Sequence, residues 1–137
     1  MALIPEQHKP HVREELASLQ DPVRIIVFTQ EFECQFCREA RELAQEIAQL
    51  SNKVSVEVYD FVKDAKKAAE YGIDKVPALA VVGKQDYGIR YYGMPAGYEF
   101  GTFLRDLKMV SKGATEISEK SRARLASVNA PVHIQVF

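Results

Sequence analysis

The segment from Val23 to Leu50 constrains the fold more than any other part of the chain. Val23-Arg-Ile-Ile-Val-Phe28 is rich in β-branched residues and reads as a buried strand, and Thr29 to Glu33 read as a polar loop. From Cys34 onward, Phe36, Ala40, Leu43, Ala44, Ile47 and Leu50 recur at helical spacing until Ser51-Asn52. The predicted succession is strand, short loop, and an amphipathic helix opening on Cys34-Gln35-Phe36-Cys37.

The flanking segments extend this unit. A helix is predicted from Pro10 to Leu19, with the proline suited to a first helical turn. Val54 to Asp60 alternate with period two as a second strand, Asp64 to Tyr71 read as a short helix, and Gly72 is placed to cap it. Ala78 to Val82 follow Pro77 as a strand, Gly83 to Gly88 form a turn, and Ile89 to Tyr92 return as the second arm of a hairpin. Helices are expected at Tyr98–Val110 and Thr115–Val128. A β-α-β crossover should be right-handed and parallel, and the hairpin extends the same sheet. The fold class is therefore α/β: a four-stranded mixed sheet flanked by helices on both faces. In such sheets, sites form at the carboxyl ends of the strands, where the Cys34 loop lies.

Both cysteines of the chain sit where that loop passes into the helix. Two cysteines cannot build a secreted disulfide framework, and in a reducing compartment a close pair is more often catalytic or metal-binding. Thiol–disulfide exchange needs an attacking thiolate and a second thiol near enough to resolve the mixed disulfide. Cys34, in the first helical turn, lies where unpaired N–H groups and the positive end of the helix dipole stabilise sulfur anions. That lowers a thiol pKa below its reference of about 8.5. Cys34 is thus the expected nucleophile and Cys37 the expected resolving thiol. Arg38 aids thiolate formation, whereas Glu31, Glu33, Glu39 and Glu42 oppose it. The competing reading is a non-catalytic binding module, or a zinc site completed by His8 and His11.

Val76-Pro77 is a second signal. A proline before a strand can adopt a cis bond and leave the Val76 backbone to pair with an extended substrate. Composition excludes other classes: the net charge of -1 carries no basic footprint for nucleic acid, and no apolar run is long enough for a membrane span. The first residues lack the succession of a secretory signal, so a cytoplasmic location is expected. No cofactor or metal is implied beyond the zinc alternative.

The carboxyl-terminal segment repeats an earlier one. Residues 122–137 match residues 13–28 without gaps. Arg13, Leu16, Ala17, Ser18, Pro22, Val23, Ile25, Val27 and Phe28 reappear as Arg122, Leu125, Ala126, Ser127, Pro131, Val132, Ile134, Val136 and Phe137. The expected organisation is one unit over residues 1–112, then a linker helix and the first strand of a truncated second unit over 113–137. The apolar strand Val132–Phe137 is expected to pair with a sheet edge or exchange between chains in a homodimer.

Cys34-Gln-Phe-Cys37 after Val23–Phe28, Val76-Pro77 before a strand, and Arg90-Tyr-Tyr-Gly93-Met-Pro-Ala-Gly97-Tyr-Glu-Phe100 together resemble the glutaredoxin-like protein disulfide oxidoreductases. That resemblance implies a thioredoxin-like fold, two such units in tandem, Cys34 and Cys37 as the redox pair, and Pro77 as the cis-proline facing them. It also implies protein disulfides as substrates and a flavoprotein reductase as electron donor. Two departures stand out. Thioredoxin proper has Trp-Cys-Gly-Pro-Cys and a buried aspartate on the preceding strand, whereas this chain has no Trp and places Phe28 there. The proton acceptor for Cys37 is therefore unassigned. A similar unit begins the flavin-containing reductase serving alkyl hydroperoxide peroxidases, but there the first unit typically lacks its cysteines, so their presence favours the stand-alone oxidoreductase.

Overall fold

The structure is a computed structural model and describes residues 2–137. Strands β1 (Val23–Thr29), β2 (Val54–Asp60), β3 (Ala78–Val82) and β4 (Arg90–Tyr92) form one sheet in the order β2-β1-β3-β4. β1 and β2 are parallel, joined through helix α2 (Cys37–Gln49), while β3 runs antiparallel to both β1 and β4. The remaining helices are α1 (Lys9–Leu16), α3 (Ala65–Glu70), α4 (Tyr98–Lys112) and α5 (Glu119–Leu125).

The near-continuous apolar run of β1 follows from its place in the centre of the sheet, covered on both faces. Its alternate residues Val23, Ile25 and Val27, with Leu79 and Val81 of β3, pack against Val12 and Leu16 of α1, Leu43 and Ile47 of α2, and Phe103 and Leu107 of α4. Ile26 and Phe28 face the other way with Ala78, Ala80 and Val82 and are covered by Ala68 of α3 and by Ile73. Three helices thus lie on one face and one on the other, as expected for the mixed α/β sandwich.

Local chemistry sets the element ends. Gly72, at φ 67°, terminates α3: its N–H and that of Ile73 donate to Ala69 and Ala68 carbonyls at 3.1 and 2.8 Å. Gly113 at φ 70° stops α4 in the same way. Buried Ser111 ties α4 to the entry of β1. Its Oγ accepts from the Gln20 and Asp21 N–H groups at 2.8 and 2.9 Å and donates to the Asp21 carbonyl at 2.7 Å. Ser111→Ala leaves those groups unsatisfied, and urea denaturation is expected to show a loss of about 1–3 kcal/mol at unchanged slope.

Some boundaries differ from expectation. α1 ends at Leu16 rather than Leu19, because Ala17 is already its cap and Leu19 turns inward to join the core. The helix expected at Thr115–Val128 is confined to Glu119–Leu125, since Ser118 is extended and accepts the Ser121 N–H at 3.1 Å as a cap. Beyond it, Val132–Phe137 form no strand, and Val132, Ile134, Val136 and Phe137 are exposed.

Over residues 13–19 and 122–128 the sequence repeat is also a conformational repeat. The Ala17 N–H donates to the Arg13 carbonyl at 2.9 Å and the Ala126 N–H to Arg122 at 3.0 Å. Leu19 closes on Leu16 at 3.2 Å, and Val128 on Leu125 at 3.0 Å. The Ser18 hydroxyl donates to Glu15 at 2.9 Å, and its counterpart Ser127 to Arg124 at 2.7 Å.

Candidate functional site

Cys34 and Cys37 are joined in a disulfide with their Cα atoms 5.6 Å apart, at the carboxyl end of β1. The helix opens at Cys37, not at Cys34. Phe36, at φ -116° and ψ 14°, is its N-cap, and Glu33, the one non-glycine residue at positive φ among the described residues (φ 55°), precedes the first cysteine. Cys34 therefore sits in the loop, half-buried, while Cys37 on the first turn of α2 is only 4% exposed.

No side chain caps α2; its first closing bond runs from the Ala40 N–H to the Phe36 carbonyl at 2.9 Å. The N–H groups of Cys37, Arg38 and Glu39 are left without helical partners, and this positive end faces the pair, where it stabilises a sulfur anion. Arg38 is turned away: its Nε pairs with the Glu42 carboxylate at 2.9 Å on the exposed face, and this contact holds the Glu42 carboxyl below its ordinary range. One carboxylate oxygen of Glu39 is buried with no hydrogen-bond partner among the described residues.

Val76 and Pro77 arrive at the same end of the sheet. The register pairs Phe28 with Ala78, so the antiparallel β3 brings Pro77 alongside Thr29 and Val76 alongside the cysteine loop. The Val76–Pro77 bond is cis. Pro77 is buried and its carbonyl accepts the Gly93 N–H at 2.9 Å, whereas the N–H and C=O of half-buried Val76 have no hydrogen-bond partner among the described residues. His8 and His11 do not join the cysteines: no cluster of three or more metal-ligating side chains occurs among the described residues. His8 instead borders an apolar cavity with Leu43, Met94 and Phe100.

The other wall of the site escaped sequence reasoning. The Thr29 carbonyl accepts the Phe61 N–H at 2.7 Å, tying the end of β1 to the turn after β2. In that turn Asp60 Oδ1 accepts the Lys63 and Val62 N–H groups at 2.8 and 2.9 Å, which lowers the Asp60 pKa. A cleft of about 450 Å³ lies between the turn and α2, bordered by Cys37, Arg38, Arg41, Asp60 and Lys63. The aspartates at Asp60 and Asp64, closing the strand and opening the next helix, were the available signal for the turn, but not for the cleft. Phe28 is fully buried against Tyr59 and Tyr71, with ring centroids 5.6 and 6.0 Å away, so no carboxylate stands there. No helix among the described residues is long and apolar enough to cross a membrane.

Comparison with known proteins agrees with this geometry. The profile of the thioredoxin domain matches residues 23–101, which is more than half of the chain. A protein described as a probable thioredoxin from Methanothermobacter thermautotrophicus is 35% identical over 85 residues, covering 61% of this chain and 94% of that protein. Among solved structures, a protein disulfide oxidoreductase from Aeropyrum pernix superposes with a TM-score of 0.79 at 24% identity, covering 90% of this chain. The amino-terminal domain of an alkyl hydroperoxide reductase, AhpF, from Enterococcus faecalis gives 0.81 at 20% identity over 92%. This chain spans 54% of the former and 61% of the latter. The Cys-x-x-Cys disulfide, its place at the end of β1 and the match across the sheet carry one conclusion: the chain belongs to the thioredoxin domain family.

Proposed function

We propose that the chain is a glutaredoxin-like, cytoplasmic protein disulfide oxidoreductase in which Cys34 attacks and Cys37 resolves. The observation carrying this assignment is the asymmetry of the pair: Cys34 lies in the loop with partial access to solvent, and Cys37 is buried on the helix. In the reduced protein the Cys34 thiolate attacks one sulfur of a substrate disulfide, and the other leaves as a thiolate that takes up a proton. Cys37, as thiolate, then attacks the Cys34 sulfur, releasing the second substrate thiol and closing the disulfide present here. Two electrons pass from the dithiol to the substrate. An external donor must restore the dithiol, and a flavoprotein reductase fits that need.

Val76 takes part through its backbone on this reading. Its unpaired N–H and C=O, held beside the dithiol by Pro77, suit an extended substrate segment that adds main-chain hydrogen bonds. With dithiothreitol as donor, the protein is expected to reduce insulin disulfides well above the rate of dithiothreitol alone, read as turbidity from the freed chain. A rate equal to that background would overturn the proposal.

We assign residues 1–112 to this unit, and residues 113–137 to a linker helix and the lead-in of a second one. The matching hydrogen bonds of 13–19 and 122–128 support that division. Val132–Phe137 then need the rest of such a unit, or a second copy of the chain in a homodimer, to cover them.

A further inference from the structure

Two clefts flank the cysteine loop and share their walls. The first, of about 450 Å³, has Cys37 and Arg41 at one end. The second, of about 460 Å³, has Phe32 and Val62 at the other, and both are bordered by Gln30, Glu31, Asp60 and Lys63. Together they form one furrow beside the dithiol, on the side of the β2–α3 turn and away from β3 and Val76.

The furrow is polarised. Phe32 and Val62, which border the second cleft, are 74% and 70% exposed, large apolar side chains left open to solvent. At the Cys37 end stand Arg38 and Arg41, and Lys63 borders both clefts. Arg38 is taken by Glu42, but Arg41 and Lys63 have neither an ion pair nor a side-chain hydrogen bond among the described residues. Of the carboxylates bordering the furrow, Asp60 is turned into its own loop by the Val62 and Lys63 N–H groups, Glu31 borders both clefts, and Glu33 lies at the apolar end. Arg41 therefore stands as an unpaired cation at the Cys37 end, Lys63 lies between the two ends, and apolar surface with the Glu33 carboxylate lies at the Phe32 end.

We infer that this furrow selects among protein substrates, and that it takes a disulfide-bearing segment with an apolar side chain at the Phe32–Val62 end and a carboxylate at the Arg41 end. The inference rests on the oxidoreductase reading above and adds a substrate class to it. The apolar contact contributes area, while the unpaired cations contribute orientation and rate of encounter with acidic segments. Both cations are at the surface, so the preference is modest and depends on salt.

The test uses the full chain, dithiothreitol as donor, and disulfide-linked peptides identical except for Glu, Gln or Lys a few residues beyond a leucine next to the cystine. At low ionic strength kcat/KM is expected to fall in the order Glu, Gln, Lys, with about a 3- to 10-fold span that narrows as salt rises. Because the Glu-to-Lys ratio is taken within one protein sample, it does not depend on how much of a variant is folded. In Arg41→Gln with Lys63→Gln the ratio is expected to approach one, and in Arg41→Glu to invert. Wild-type protein that reduces all three peptides equally overturns the furrow and leaves the oxidoreductase standing. Protein that reduces none overturns both.

Discussion

Cys34→Ser is expected to bring disulfide reduction down to the uncatalysed background, a loss on the order of 10³-fold or more in kcat/KM. A serine hydroxyl stays protonated where a thiol ionises, and its oxygen cannot form the mixed disulfide through which exchange proceeds. Cys37→Ser should behave differently. The first attack needs only the loop cysteine, so this variant is expected to accumulate a covalent adduct with its substrate, visible by intact mass and released by dithiothreitol. The proposed division of labour rests on α2 beginning only at Cys37 and leaving Cys34 in the loop. An adduct trapped by Cys34→Ser and absent from Cys37→Ser would reverse the assignment.

Phe28→Ala is expected to cost about 3–5 kcal/mol, a large part of the ~5–15 kcal/mol by which such domains are stable. Phe28 is fully buried on the central strand, between the rings of Tyr59 and Tyr71 and above Ala68 of α3. Its neighbours on β3, Ala78 and Ala80, are too small to fill the space left behind, and the flanking strands hold the wall in place. Thermal unfolding followed by circular dichroism should show Tm lowered by on the order of 10 °C or more. Phe28→Asp should be at least as damaging, because it places an unpaired carboxylate among aromatic rings. A mild effect of that substitution would mean that the position retains a polar role in this chain.

Much of this arrangement was legible in the residues. A β-branched run declared β1, Pro77 and the turn from Gly83 to Gly88 bounded β3, helical spacing declared α2, and Gly72 marked the end of α3 where the backbone does turn left-handed. The cysteine pair and the proline before β3 were visible from spacing alone, and the register of β1 with β3 brings them to one end of the sheet. What stayed hidden depends on the folded chain. A glutamate gives no warning of the positive φ at Glu33, and an apolar Phe36 gives none that it is the N-cap at which α2 starts late. Arg41 and Lys63 are far apart in the chain and meet across one cleft only because β2 lies parallel to β1 and its turn is tied to Thr29. Val132–Phe137 carry the pattern of β1, but pattern alone makes no strand where no neighbouring strand pairs with it.

The most direct test of the central claim is an equilibrium redox titration of Cys34 and Cys37 against dithiothreitol or glutathione, quenched by alkylation and read by mass. The account predicts one reversible two-electron transition, with both thiols alkylated on the reducing side and neither on the oxidising side. Independent alkylation of the two cysteines, or a disulfide that no thiol poise opens, would contradict it.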